Sequence, residues 1–443
     1  MAKNKIIEGI VKDVEFPNKC KLIDGDYEYD FKGGILGQKV AIKRTRGKKA
    51  KLVEVLEKSD LEEDSYCEHS NRCGGCTYQT FSYDKEIEYK ESLIKKLLDE
   101  NEIYFEDYKF LKSPTYEAYR NKMEYTFGDE FKDGPLALGL HRKNHFHDIV
   151  NTPNCNIVNE DFNIIREFTR EFFDEKLEKY NRMRHTGTLR HLVIRRSSIG
   201  EILVNLVTTS SDFNFNRYYE DLLKLDLSGK IVGILHTFNN SVSDAIIPER
   251  VETVYGRDYI YEEILGLKFK VSAFSFFQTN TDSARVLYSL AKDMISDLDN
   301  KVLLDLYSGT GTITQIFGQS AKKALGIEIV EDAVLSAREN AKLNNLDNVE
   351  FICDDVFNAV KDLKYNPDII VLDPPREGIN PRAIKNIINF DPEEFLYISC
   401  NPVTFVRDIE EFLNRGYIIE NLKTLDQFPR TSHCEMICHL IKK

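Results

Sequence analysis

Two short runs near the end of this 443-residue chain hold side chains suited to covalent chemistry. Ser399-Cys400-Asn401-Pro402 offers a thiol where an apolar run stops, and His433-Cys434-Glu435 offers a carboxyl where another begins. An ionised thiol is a strong nucleophile and a carboxylate is a general base. A free thiol titrates near about 8.5, so a working site is expected to favour the thiolate. Alone, a cysteine is more often a small buried residue. The surroundings decide.

Those surroundings read as a nucleoside crevice. Asp305-Leu-Tyr307-Ser-Gly309-Thr-Gly311 follows an apolar run, and glycine accepts positive φ and close approach of a ligand. Gly326-Ile-Glu328 ends the next apolar run about 20 residues on, where an acid can accept ribose hydroxyls. Cys353-Asp354-Asp355 ends the third and is placed for the adenine amino group or a ribose. A dinucleotide needs a third glycine and an open helix N-terminus for its pyrophosphate, but Thr-Ile-Thr-Gln follows Gly311. S-adenosylmethionine carries no phosphate and fits better. Asp373-Pro374-Pro375-Arg376 and Ser399–Pro402 end the fourth and fifth runs, so both face the same crevice. The Pro-Pro step alone suggests methylation of a base amino group. Cys400 changes that reading to uracil C5, which is too poor a nucleophile to attack a methyl sulfonium unaided. Thiolate addition at C6 makes C5 nucleophilic, and a base such as Glu435 then removes the C5 proton so that sulfur can leave.

The elements that must hold these groups follow from periodicity. From about residue 265 strands and helices alternate (KVLLDLY, AKKALGIEI, NVEFICDD, DIIVLDPP, EFLYISCNP), then YIIENLKTLDQF and EMICHLI close the chain. This is the grammar of an α/β, doubly wound, mostly parallel sheet with an antiparallel end. Residues 59–264 form a strand-rich central domain, with a hairpin of LRHLVIRR and EILVNLVT and an amphipathic helix near 82–100 that is expected to pack on the catalytic domain. Residues 1–58 hold five short strands in the manner of a small OB-like barrel. The first 59 residues carry 14 Lys+Arg against 9 Asp+Glu in a chain whose net charge is −13, the pattern of an acidic enzyme with a basic binding module. Arg44, Arg46, Lys48, Lys49 and Lys51 around Gly47 suit a phosphate-gripping loop or a solvated hairpin tip. Arg182, Arg184, Arg190, Arg195 and Arg196, with His185 and His191, are a second candidate RNA surface. No long apolar run or secretion signal appears, so a cytoplasmic chain with reduced thiols and no membrane contact is expected.

Four of the nine cysteines are spaced as ligands: Cys67-x5-Cys73-x2-Cys76, with Cys155 downstream. The bare spacing favours tetrahedral zinc over an iron–sulfur cluster. His69 inside the loop reads as solvated, and Cys20, Cys353 and Cys438 as structural.

Taken in order, Phe277-Gln278, DLYSGTG, GIE, DPPREG, SCNP and HCE resemble the RNA uracil-5-methyltransferases over the whole C-terminal part. Residues 1–58 resemble that family's TRAM RNA-binding domain, and the four cysteines its iron–sulfur ligands. The resemblance implies a Rossmann-like methyltransferase domain over 265–443, in which Gln278, Tyr307, Glu328 and Asp373 contact S-adenosylmethionine beside Gly309, Gly311 and Asp355. It makes Cys400 the nucleophile and Glu435 the base. It turns Cys67, Cys73, Cys76 and Cys155 towards a [4Fe–4S] cluster, with zinc as the alternative, and so favours 23S ribosomal RNA over tRNA as partner. A monomer is expected. The rival readings are a tRNA methyltransferase of the same chemistry and a non-catalytic RNA-binding iron–sulfur protein. Phe274 and Phe276 are candidates to receive a flipped uracil.

Overall fold

Alternating burial along much of residues 6–44 goes with short antiparallel strands in a computed structural model that describes residues 5–145 and 147–443. Residues 1–4, where the expected first domain begins, lie outside them. Strands β1 (Ile6–Glu15), β2 (Lys19–Asp24), β3 (Tyr27–Lys32), β4 (Lys39–Arg44) and β5 (Ala50–Glu57) pair in the order β3-β2-β1-β4-β5. The sheet curls until its edges meet at a bridge between Asp30 and Lys49. Its core, with Val11, Leu22, Phe31 and Val40, runs on into helix α1 (Tyr83–Glu100) through Tyr89, Leu93 and Ile94.

Helix α1 departs from a simple apolar stripe. It buries Glu86 and Lys90 along with Ile87, Leu93 and Ile94. Both charges are matched: Lys90 donates to Glu86 at 2.7 Å and to Asp426 at 2.8 Å. Strand β6 (Lys109–Leu111) then joins the catalytic sheet beside a strand three hundred residues later in the chain.

The middle of the chain forms a seven-stranded sheet. Its members are β7 (Lys122–Gly128), β8 (Ala137–His141), β9 (Ile149–Asn151), β10 (Leu189–Arg196), β11 (Glu201–Thr208), β12 (Lys230–Phe238) and β13 (Arg250–Gly256), with α2 (Glu160–Phe173) and α3 (Asn216–Leu222) between them. Strands β10 and β11 make the expected hairpin. Tyr125, Leu192, Ile194 and Leu206 on one face pack against Phe162, Phe173 and Tyr218 of the two helices. Hairpin β14 (Tyr259–Ile264) and β15 (Leu267–Ser272) leads to α4 (Thr281–Met294).

The catalytic sheet follows: β16 (Val302–Leu306), α5 (Thr312–Gly318), β17 (Lys323–Glu328), α6 (Glu331–Leu343), β18 (Val349–Cys353), α7 (Val356–Asp362), β19 (Ile369–Leu372), α8 (Pro381–Ile388), β20 (Glu394–Ser399), α9 (Pro402–Leu413), β21 (Tyr417–Leu425) and β22 (Glu435–Lys442). Residues of β19 and β20 are buried throughout, as parallel strands covered on both faces must be. The strand order is β18-β17-β16-β19-β20-β22-β21-β6. The final strand is thus not an edge: it inserts antiparallel between β20 and β21. The order reverses between β16 and β19, where open α/β sheets bind ligands.

Candidate active site

Strand β16 ends in a strained turn. Tyr307 has φ 68° although it is not glycine, and Gly309 and Gly311 have φ 54° and 76°. Such strain persists only where the surroundings enforce it, and it clusters at functional sites. A Cβ on Gly309 would meet nothing within 4 Å, so that residue borders open space. On Gly311 it would lie 2.5 Å from the Phe351 ring, so packing alone demands this glycine. Glu328 reaches across from β17: one carboxylate oxygen accepts from the Gly309 amide at 3.0 Å and the other from Val330 at 2.9 Å. Asp355 caps α7 by accepting from Phe357 at 2.8 Å. Burial, with the charges of Asp355 and Asp408 adding to it, pushes the Tyr307 phenol up to about 12. Buried oxygens of Asp305 and Ser308 have no hydrogen-bond partner in this turn.

The lining is therefore acidic, from Glu328 and Asp355 to Asp373. It suits ribose hydroxyls and a cationic sulfonium, and it would repel a pyrophosphate. S-adenosylmethionine fits the residues present.

At the other lip the register does the placing. Strands β20 and β22 pair Ile398 with Ile437 and Ser399 with Met436. Cys400 directly follows the first of these strands and Glu435 opens the second, close enough for the Glu435 carboxyl to act on the thiol. Asn401 donates to the Arg376 carbonyl at 2.8 Å, which ties the Ser-Cys-Asn-Pro turn to the Asp-Pro-Pro-Arg turn. Asp373 follows Leu372, which pairs with Leu306 on one side and Tyr397 on the other. Four chain segments so converge on one crevice.

The electrostatics correct one expectation. The Cys400 thiol is pushed up to about 12, by burial first and then by the Glu435 and Asp373 carboxyls, with Arg376 pulling down. Without ligands the site favours the thiol and not the thiolate. Burial also raises Asp373 to about 7 and holds Glu435 well above the usual carboxylate range, with Asp373 adding repulsion. Gln278 is buried, and its side chain meets the phenol of Tyr288, which faces the Asp373 and Glu435 charges. Tyr288 was not legible as a site residue, because an aromatic on the apolar face of α4 looks like core. Phe276 is 71% exposed beside the glycine turn, where its carbonyl accepts from Thr310 at 3.5 Å, and Phe274 is 40% exposed. Cys434 points away from the crevice into the core with Tyr78 and Tyr108.

The four candidate ligand cysteines converge. Burial raises the thiol of each, and Cys76 is raised further by Cys155, Cys73 and Cys67. Lys143 lies among them and donates to the Ser70 carbonyl at 2.5 Å. Among the described residues, no three His, Cys, Asp or Glu side chains are grouped to hold a metal ion. The grouping of the four cysteines lends support neither to the zinc reading nor to the iron–sulfur reading. His69 is buried, not solvated, and its ring bonds the Pro153 carbonyl at 2.6 Å.

The second basic surface is largely structural. Arg190 is buried and donates to the carbonyls of Asn239 and Ser241. Arg195 is buried and donates to Ala273 and Ser275, while Arg196 pairs with Asp161. Arg184 and His185 remain exposed on the 181–187 turn. Among the described residues no helix is long and apolar enough to cross a membrane.

Comparison with known proteins agrees with this crevice. The tRNA (uracil-5-)-methyltransferase family model matches residues 82–443. An uncharacterised RNA methyltransferase of Caldanaerobacter subterraneus is 45% identical over 450 residues, covering 99% of each chain. Another, from Bacteroides thetaiotaomicron, is 30% identical and covers 92% of this chain and 94% of its own. The crystal structure of Pyrococcus abyssi tRNA (uracil-54, C5)-methyltransferase with S-adenosyl-L-homocysteine matches with a TM-score of 0.78 at 26% identity, covering 98% of this chain and all of its own. With the strained glycine turn, the acidic crevice and the neighbouring Cys400 and Glu435 already in place, the chain belongs to the RNA uracil-5-methyltransferases and is an S-adenosylmethionine-dependent RNA methyltransferase.

Proposed function

We propose that this enzyme methylates C5 of uridine through a covalent adduct on Cys400. The observation that carries the reading is the pairing of β20 with β22, which brings the strand ends that bear a thiol and a carboxyl together at the mouth of an acidic crevice. S-adenosylmethionine, when bound, supplies the methyl group and a sulfonium charge. Gln278, Tyr307, Glu328, Asp373, Asp355 and the turn of Gly309 and Gly311 hold it. Cys400 loses its proton to solvent and its sulfur bonds to C6, which drives the C5=C6 electron pair towards O4. C5 then takes the methyl group. Glu435 as carboxylate removes the C5 proton, the C5=C6 bond reforms and the C6–S bond breaks. The net products are methylated RNA, the demethylated thioether and one proton. Phe276 is a platform for the flipped base.

The domain division proposed is 1–58, 59–264 and 265–443. The first unit is a TRAM-like RNA-binding barrel, supported by exposed Arg46, Lys48 and Lys49 on its β4–β5 turn. The target proposed is 23S ribosomal RNA, and the protein is a cytoplasmic monomer. The reading behind this choice is that Cys67, Cys73, Cys76 and Cys155, whose thiols influence one another, hold a [4Fe–4S] cluster. A tRNA target is the second reading, favoured by the substrate of the Pyrococcus abyssi enzyme. Mapping 5-methyluridine by mass spectrometry in rRNA and tRNA of a deletion strain separates the two. Loss confined to 23S rRNA supports the proposal, and loss confined to tRNA replaces it. Anaerobically purified protein should contain iron and be brown, and stoichiometric zinc without iron would remove the cluster.

A further inference from the structure

Glu435 stands at the first position of β22, so its placement depends on the segment that precedes it. That segment, residues 426–434, crosses the molecule between α1, the Asn280 cap of α4 and the loop after Cys76. Arg430 is its anchor. The residue is 1% exposed and holds φ 67°, a left-handed backbone that an arginine keeps only when its surroundings enforce it. Its amide donates to Glu86 at 2.7 Å and its guanidinium to the Phe81 carbonyl at 2.7 Å. Its own carbonyl accepts from the amides of Thr77 and Tyr78, at 2.7 and 3.0 Å. These two residues directly follow Cys76. The neighbouring Pro429 carbonyl accepts from the Tyr119 hydroxyl at 2.9 Å, and Asp426 takes Lys90 and Tyr83.

One buried side chain and its backbone thus join helix α1, the cysteine loop and the approach to Glu435. A core arginine is costly to bury; the Phe81 carbonyl and the Glu86 carboxylate, 3.5 Å from the guanidinium, offset part of that cost, while Nε has no partner. Bulk packing alone would be served by an apolar side chain of similar volume.

We propose that Arg430 is a positioning residue for the C5 proton-removal step: it fixes the 426–434 segment against the loop after Cys76 and thereby aims the Glu435 carboxyl. The inference rests on the base role assigned to Glu435 above. Addition of Cys400 to C6 does not use that segment, because Cys400 is held by β20 and Asn401. Loss of the anchor therefore slows release more than addition.

The test uses the full-length protein and whichever transcript, 23S rRNA or tRNA, the unmodified enzyme methylates. Arg430→Met, Arg430→Lys and the milder Tyr119→Phe are compared with Glu435→Gln. Addition is read as the rate of the denaturation-stable adduct on the same transcript made with 5-fluorouridine, whose fluorine cannot leave as a cation. Release is read as tritium loss from C5-labelled transcript. Arg430→Met is expected to keep its addition rate within about threefold while release falls at least about tenfold with KM nearly unchanged, so that adduct on ordinary RNA accumulates. Arg430→Lys should recover part of the release rate, and Tyr119→Phe should shift the ratio less in the same direction. Should Arg430→Met fail to fold, Tyr119→Phe and Arg430→Lys carry the test. Equal loss of addition and release, or no loss of either, overturns the inference. If Glu435→Gln itself accumulates no adduct, the base assignment fails instead, and the two failures are distinguished.

Discussion

The sulfur of Cys400 sits in a field that opposes its ionisation. Burial and two carboxyls hold its proton to about pH 12 in the absence of ligands. The reactive fraction then rises about tenfold for each pH unit below that value. Burial shifts the Glu435 carboxyl upward as well, so its base form grows in the same direction. The expected outcome is a kcat/KM that climbs from pH 6 to pH 9 with no plateau near 8.5, where an ordinary thiol would level off. Steady-state rates across that range check it. Asp373 gives a second prediction. Its proton comes off near 7, so the anion that attracts a sulfonium appears as pH rises through 7. Affinity for S-adenosylmethionine relative to the neutral S-adenosylhomocysteine should rise by up to about tenfold from pH 6 to 8, and calorimetric titration of Asp373→Asn should show no such rise. The roles proposed for Cys400, Glu435 and Asp373 come from residue type and order. Their charges were not, because the carboxyls that suppress the thiolate lie 27 residues before and 35 after it in the chain. Arg190 and Arg195 misled for a related reason: alternation along a strand cannot say that a guanidinium turns inward to satisfy loop carbonyls.

Elements were more legible than the way they join. The five barrel strands, helix α1 and the β10–β11 hairpin lie within a residue or two of their expected places, since local alternation and turn residues specify them. The insertion of β22 between β20 and β21 depends on long-range pairing, yet it is what brings Glu435 to Cys400. Glu86 and Lys90 on α1 were likewise unreadable, their partner Asp426 being over three hundred residues away. Gly311 shows how one element constrains another. Its φ is 76° and a Cβ would strike Phe351, so Gly311→Ala should cost about 2–4 kcal/mol through overpacking and backbone strain. A fall in Tm of several degrees in the ligand-free variant would bear this out, and an unchanged Tm would show that Phe351 yields freely.

At the scale of the whole molecule, the barrel cannot be treated as a detachable module. Its core is continuous with Tyr89, Leu93 and Ile94 of α1, so deleting it would bare an apolar helix face. Charge reversal is the cleaner probe. Arg46→Glu, Lys48→Glu and Lys49→Glu together should weaken RNA binding and lower the slope of log affinity against log salt by up to about 3, with S-adenosylmethionine affinity unchanged. An equal slope would make the turn a solvated tip. The proposed reaction needs nucleophile and base to act in sequence on one ring, and both are supplied by strands whose pairing only the complete fold creates. The most direct measurement incubates Glu435→Gln with RNA and methyl-labelled S-adenosylmethionine, then resolves the denatured mixture by electrophoresis. The expected result is a slow-migrating band containing protein, RNA and label, absent when Cys400→Ala is used or added. Free labelled RNA at the normal rate from either variant, with no such band, would contradict it.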